Sequence, residues 1–407
     1  MDSIDTTKIA SSATAGVQSA GSNAEYTLIA PNYSRAGYGF AGWSTDFDAT
    51  NSSIIYGPNE TITTGNLGTN GMILYPVWVA STGMLQNWNG CNSLTTADPP
   101  NVWDVTGRST LASMTALTDA RDGNVYTVAR LADGKCWMTE NLRINAEATR
   151  GDTNRALAQG YGSYSGSGTN YGNFIGLADS ENANFNSNDP SSANNATNSL
   201  YSSDGSTAIN IGSSDGPGYR IPRYNSNNTN RSLTPNYNAN DNTDYYQWYG
   251  YGNYYNWTSA VANTNYFDAS NISVTTTSLC PAGWRLPQGG DKTRIESDND
   301  NDFWTLVVTN LNGGTKPANY SSSTYPHYTG DTEGVSVAKL VRTFPSNFVL
   351  SGYWNGTRTW TRNSTGIYQS STVNEYRYAH DFIIRSSYVG PAARDLKWGG
   401  FAVRCIK

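Results

Sequence analysis

Between Ser351 and Lys397 the sequence concentrates side chains suited to recognition. Tyr, Trp and Arg offer large contact area with few rotors to freeze, and Asn offers adaptable hydrogen bonds, as in antibody-like binding loops. The residues that predict a binding face are Tyr353, Trp354, Asn355, Arg358, Trp360, Arg362, Asn363, Tyr368, Asn374, Tyr376, Tyr378 and His380, with Arg377 and Arg385 beside them. A competing reading puts many of the same rings in a core, on alternating strand faces, because Tyr and Trp are intermediate in burial.

Catalytic patterns are weaker, and no catalytic residue is predicted. Gly212-Ser213-Ser214-Asp215-Gly216 fits the letters of a nucleophile elbow, but no strand is expected before it and no helix after it. His327 and His380 stand near no Cys or Ser in a nucleophile context. A glycosidase needs two carboxylates about 5–10 Å apart. Glu140, Glu296 and Glu375 are among the few Glu residues placed to serve, and Glu140 is expected to bond to backbone or to Arg285. The run Asp298-Asn299-Asp300-Asn301-Asp302 offers oxygens for calcium but lacks the Gly and distal Glu of an EF-hand loop. Acidic residues there also favour the positive end of a following helix, so capping is the expected role. No metal ligand and no cofactor are predicted.

The chain has 407 residues, of which 14% are charged and 12% aromatic, with 28 Tyr, 12 Trp and 40 Gly. That composition fits a loop-rich β protein of two or three domains and carries too many aromatics for a disordered chain. A net charge of −6 without a Lys/Arg run excludes nucleic acid as an expected partner. No stretch approaches the roughly 20 apolar residues of a membrane span. Residues 1–24 lack a signal peptide's apolar segment and read as a flexible leader or the tail of a preceding repeat. Cys91, Cys136, Cys280 and Cys405 are an even set suited to two disulfides in an oxidising compartment, in any of three pairings. Without a CxxC they do not form a zinc pattern.

The elements that must position the binding face are read as follows. Residues 25–81 carry an extended start, a Gly-punctuated aromatic strand with Tyr38, Phe40 and Trp43, and a second strand ending near Ala80. A helix is expected near Arg108 to Thr118. Tyr126 to Leu131 alternates, Asp133-Gly134 predicts a type I′ turn, and Cys136 to Leu142 returns as the partner strand. Residues 146–274 are rich in Asn, Ser, Gly and Tyr and read as a long insertion of loops and short strands. The aromatic cluster Tyr245 to Trp257 within them is expected to be partly core. A short helix is expected from Asn301 to Leu311, capped by Asp300 or Asn301 and ended by Gly313-Gly314. Gly399 to Ile406 reads as a buried strand.

Two resemblances rest on these blocks. Ala30-Pro31 with Arg35-Ala36-Gly37-Tyr38-Gly39-Phe40-Ala41-Gly42-Trp43-Ser44 and Leu74-Tyr75-Pro76-Val77-Trp78 resembles the internalin B-type (Listeria-Bacteroides) repeat, which implies a small β-grasp-like spacer module. Asp122 to Val128, Cys136 to Leu142, Tyr251 to Trp257, Cys280-Pro281-Ala282-Gly283-Trp284-Arg285-Leu286-Pro287 and Phe401 to Cys405 together resemble the Fibrobacter succinogenes major paralogous domain, over residues 82–407. Where that family commonly has Trp-Ser-Ser-Thr, this chain has Tyr368-Gln369-Ser370-Ser371-Thr372.

The second resemblance implies an α+β, loop-rich and β-dominated chain: a C-type-lectin-like domain behind the β-grasp-like module. In that family the Cys280 and Cys405 blocks often occur without the two upstream cysteines, which implies pairing of Cys280 with Cys405 and of Cys91 with Cys136. It also implies association with bacterial surfaces, and together with the aromatic and Asn-rich residues of 351–397 the expectation is an extracellular or cell-surface protein that binds a glycan or protein ligand, with a structural envelope component as the alternative and a carbohydrate-active enzyme behind it. C-type-lectin-like folds also host the variable proteins of diversity-generating retroelements, and the Asn- and Tyr-rich tail is compatible with such diversification. The reactive cysteine pair of formylglycine-generating relatives has no counterpart next to Cys405, so that activity does not carry over.

Overall fold

The computed structural model describes residues 25–28, 35–47, 49, 55–63, 72–86, 88–97, 111–120, 123–143, 200–201, 208–209, 219–220, 248–252, 254–255, 257–261, 273–276, 278–290, 301–310, 328–329, 337–354, 359–361, 363–375, 378–397 and 399–407. The leader, most of the 146–274 insertion, the Gly212–Gly216 pattern, Glu296, Asp298–Asp300, Gly313-Gly314 and His327 lie outside the described residues.

The described fold is β-dominated and loop-rich. In chain order the strands are β1 (Glu25–Thr27), β2 (Tyr38–Ser44), β3 (Thr61–Thr63), β4 (Tyr75–Met84), β5 (Met114–Thr118), β6 (Val125–Arg130), β7 (Cys136–Met138), β8 (Leu200–Tyr201), β9 (Ala208–Ile209), β10 (Tyr219–Arg220), β11 (Tyr254–Tyr255), β12 (Ser273–Val274), β13 (Tyr328–Thr329), β14 (Tyr353–Trp354), β15 (Thr359–Trp360), β16 (Thr365–Glu375), β17 (Tyr378–Arg385) and β18 (Tyr388–Leu396). The helices are short: α1 (Trp248–Tyr251), α2 (Trp257–Val261) and α3 (Asp302–Trp304), which a π-helical turn continues over Thr305–Asn310. Two five-stranded sheets dominate, in the orders β2-β4-β5-β6-β7 and β12-β16-β17-β18-β13.

The β6–β7 hairpin forms with Ala129 opposite Trp137. Its turn differs from the expected one: only Gly134 has positive φ, at 75°. Leu131 N–H donates to Lys135 O and Gly134 N–H to Leu131 O. This is a three-residue loop closed by a glycine in the left-handed region, which relieves Asp133 of that conformation. The expected helix near Arg108 to Thr118 is also corrected, because Met114–Thr118 is strand β5. Thr115, Ala116 and Leu117 are buried there, between β6 on one side and the parallel end of β4 on the other. The Asn301 cap holds, since its side chain accepts from Trp304 N. Tyr251, Tyr254, Tyr255 and Trp257 are fully buried.

The disulfides are Cys91–Cys136 and Cys280–Cys405, with Cα–Cα distances of 5.8 and 5.7 Å. Cys405 belongs to a terminal segment that runs between the two sheets. On one side Met138 N–H donates to Cys405 O and Leu142 N–H to Val403 O. On the other, Ala402 N–H donates to Ile367 O and Gln369 N–H to Ala402 O.

The N-terminal strands join the same core. The expected boundary after residue 81 falls within β4, whose end pairs with β5. Ala41, Ile55 and Val77 share one buried cluster with Phe303, Phe344, Phe348 and Phe382. Asn59 Oδ1 accepts from Leu350 N (2.7 Å) and Asn59 O from Arg342 (3.0 Å). Asn347 Nδ2 donates to Ala41 O (2.8 Å). A Cβ on Gly57 would stand 2.1 Å from Arg342 O, so this junction requires glycine. Gly57→Ala is expected to lower stability by about 1–3 kcal/mol, read as a lower denaturant midpoint at unchanged slope. An unchanged midpoint would contradict this packing.

Candidate functional site

The described members of the expected binding set lie in more than one place. Tyr353 pairs with Trp360 across the β14–β15 ladder, and its ring packs against Phe401 with centroids 6.2 Å apart. Asn355, Arg358, Arg362, Tyr376 and the side chains of Trp354 and Trp360 lie outside what is described. Asn363 is exposed, has a positive φ of 64°, and accepts a hydrogen bond from the Tyr251 hydroxyl. Gly352 bridges Gly366 near the start of β16, whereas Asn374 lies near its end, roughly 25 Å along the strand.

Two residues of the expected face are corrected. Tyr368 is fully buried, with its ring against Phe348 and Phe382 and its hydroxyl bonded to Val349 N and O. It is a core ring, because it lies on the face of β16 that packs against Phe348 and Phe382. His380 is 2% exposed, and its ring also faces inward.

At the far end of β16 and β17 a polar group does assemble. His380 Nε2 lies 3.1 Å from Asn374 Nδ2, and His380 Nδ1 lies 3.2 Å from Ala393 O. Arg394 donates to Asn374 Oδ1 (3.0 Å) and forms an ion pair with Glu375. Its guanidinium carbon sits 4.8 Å from the centroid of the half-buried Tyr378 ring. Tyr, Arg, Asn and Glu thus share one partly open edge, braced from below by a buried imidazole.

Arg394 was absent from the expected set, and a bulge explains why. The turn pairs Arg385 with Tyr388, but Pro391 and Ala392 together oppose Phe382, after which His380 pairs with Arg394. An unbulged hairpin would have set His380 opposite Ala393. The available signal was Pro391, which has no N–H to give a ladder and inside a strand marks an edge or a bulge.

On the opposite face of the same strands, Asp381 and Asp395 are diagonal neighbours. Asp381 is 2% exposed, and its Oδ2 has no hydrogen-bond partner among the described residues. Burial, then the Asp395 charge, pushes the Asp381 carboxyl well above the usual carboxylate range. Burial also raises Asp395, against the Leu396 N–H that it accepts. Tyr388 is pushed up to about 12 by burial and then by Asp381. A like charge beside a buried carboxyl adds to the cost of ionising it, and that cost falls on Asp381.

The remaining carboxylates are engaged structurally. Burial alone would raise Asp302, but Arg285 (2.6 and 2.9 Å) and Lys135 (2.5 Å) outweigh it and hold the carboxyl below its ordinary range. Glu140 is raised by burial and bonds to Thr127 N (2.8 Å) and Arg143 (3.2 Å). The expected partner of Glu140, Arg285, serves Asp302 instead. Among the described residues no group of three or more His, Cys, Asp or Glu converges as a metal site, and no helix is long and apolar enough to cross a membrane. No family model, curated protein or solved structure matches the chain.

The Asp381 carboxyl has a folded pKa above its unfolded one. Its contribution to stability is therefore complete below the unfolded value and is lost as pH rises through the folded value, by about 1.4 kcal/mol for each unit of difference. Asp381→Asn is expected to remove this decline and to melt above wild type at neutral and alkaline pH. Thermal melts across the pH range check this, and parallel profiles for the two proteins would contradict it.

Proposed function

We propose that the chain is an exported, non-catalytic surface protein that recognises a glycan or protein ligand. Residues 82–407 would form a C-type-lectin-like domain of the major paralogous type, with the internalin B-type segment packed against it. The carrying observation is the open edge of Tyr378, Arg394, Asn374 and Glu375 at the end of β16 and β17. A ring with a guanidinium against it and amide and carboxylate groups beside it can stack on a sugar face or a side chain while fixing orientation through directional bonds.

The frame favours recognition over adaptation. The edge stands on strands whose bases are buried and stapled to the terminal segment, so little ordering is needed when a ligand docks. Two disulfides support an oxidising, extracellular setting.

The test is binding of the purified chain to glycan and cell-surface protein arrays, beside Tyr378→Ala and Arg394→Ala proteins whose circular dichroism matches wild type. The expected result is at least a tenfold loss of affinity in each variant, about 1.4 kcal/mol. Undiminished binding by the folded variants would move recognition away from this edge. Absence of binding by all three would favour the structural envelope alternative.

A further inference from the structure

On the face of β17 turned away from His380, the side chains around Asp381 offer it no donor. Directly opposite stand Gln369 on β16 and Ala393 on β18, and Ala379 and Ile383 flank it along its own strand. Gln369 is the one polar member of that set, and it directs its amide N–H groups to Tyr255 O (2.8 Å) and Gly399 O (3.4 Å). What remains of it is a carbonyl, which can only accept. The surrounding face is apolar: Ile367, Ile383 and Phe401 are buried there, with Tyr353, Tyr388 and Ala393 packed against them. Asp381 is nonetheless an acid only 2% exposed, and its Oδ2 is buried without a hydrogen-bond partner. A group of this kind is met in folded proteins by a proton or by a cation.

The second carboxylate separates those two answers. The bulge at Pro391 sets Asp395 diagonal to Asp381 on the same face. Diagonal neighbours stand about 7–8 Å apart, near enough for two Asp side chains to reach one ion at about 2.3–2.6 Å each. Asp395 is partly exposed and accepts the Leu396 N–H through Oδ1 (2.7 Å), which leaves Oδ2 to ligate and gives an ion a way in from solvent. A proton on Asp381 would remove one charge and still leave a buried oxygen unpartnered. A divalent cation between the carboxylates answers both charges and supplies the missing partner. An organic ammonium group fits less well, because Asp381 is almost wholly enclosed and a bare ion needs little room.

We propose that Asp381 and Asp395 form a site for a hard divalent cation of calcium's size. The donors on this face are oxygens: two carboxylates, the Gln369 carbonyl opposite Asp381, and water from the Asp395 side to complete the shell. No nitrogen or sulfur ligand stands among these ladder neighbours, which disfavours zinc and copper. Two acids are fewer than a tight site uses, so the affinity belongs with that of extracellular modules, on the order of 10⁻⁴–10⁻³ M. The ion ties β17 to β18 directly behind Arg394, which lies between Ala393 and Asp395, whether or not that edge binds a ligand.

The test uses the full chain, stripped with a chelator and melted at neutral pH as calcium chloride or magnesium chloride is added. Calcium should raise the wild-type melting temperature to a plateau, with a midpoint on the order of 10⁻⁴–10⁻³ M, and magnesium should act more weakly because it dehydrates reluctantly. Calcium uptake should release protons into weakly buffered solution, since Asp381 must ionise to ligate. Asp381→Asn and Asp395→Asn should each weaken the response at least tenfold. Asp46→Asn removes the same charge from an exposed position and should keep the response. Terbium luminescence sensitised by Tyr353 and Tyr388 reads the ion without reference to stability and should be lost in Asp395→Asn. Asp395 is partly exposed, so that comparison stands even if Asp381→Asn does not fold. A wild type indifferent to calcium would overturn the site, and so would a calcium response that survives both substitutions. Stabilisation by methylammonium chloride in place of calcium would overturn it in favour of an amine site.

Discussion

The fold depends on one buried cation. Arg404 is 1% exposed and lies in the terminal segment, with Nε donating to Asn141 Oδ1 (2.8 Å) and its terminal nitrogens to the carbonyls of Ser346 and Asn347. Phe348 and Tyr368 flank it, with its guanidinium carbon 4.1 and 5.6 Å from their ring centroids. Burial lowers its pKa to about 10, which still leaves it charged at neutral pH. A buried charge is tolerable only when its donors are satisfied, and removing one partner of such a network costs on the order of 3–5 kcal/mol. The partners of Arg404 come from the segment after β7, from the 337–350 region and from β16, so the charge is fully satisfied only once these parts have docked. Asn347 then extends the arrangement to Ala41 in β2, and the Cys280–Cys405 disulfide fixes the segment beside it.

That frame gives the exposed end of β16 and β17 its character. Inside, the strands are held by Phe382, Ile384 and Tyr368 in the main core; outside, the bulge at Pro391 rotates β18 by one residue. The rotation places Arg394 opposite His380 and Asp395 diagonal to Asp381. One irregularity thus sets a polar, partly open network on one face and the buried Asp381 carboxyl beside Asp395 on the other. Bulges are a known means of re-aiming side chains near functional sites, and here the re-aimed side chain is the arginine that meets Tyr378.

Local chemistry made part of this legible in the sequence. The Asp133-Gly134 hairpin, the Asn301 cap and the burial of Tyr251 to Trp257 follow from turn preference, capping geometry and aromatic density, all of which act over a few residues. The strand at Met114–Thr118 was not legible, because its identity comes from being clamped between β6 and the parallel end of β4, and β4 lies some way back in the sequence. The burial of Tyr368 and His380 was likewise hidden: in an alternating strand, composition does not say which face the core will cover. The register of β17 against β18 was written in Pro391, but its effect on His380 and Arg394 appears only once the extra residue is counted. The junction of Asn59, Gly57 and Asn347 joins positions far apart in sequence and has no local signature.

The central claim is that the N-terminal strands, both sheets and the terminal segment form one cooperative unit closed around Arg404. Native-state hydrogen exchange tests it most directly, because the Trp43 and Tyr56 amides donate to each other's carbonyls within the N-terminal strands, Met138 N–H donates to Cys405 O, and the Gln369 and Ala402 amides hold the terminal segment to β16. The account predicts that these amides open with a common free energy equal to that of global unfolding. Exchange of Trp43 and Tyr56 at a distinctly lower free energy, with Met138, Gln369 and Ala402 still protected, would contradict it.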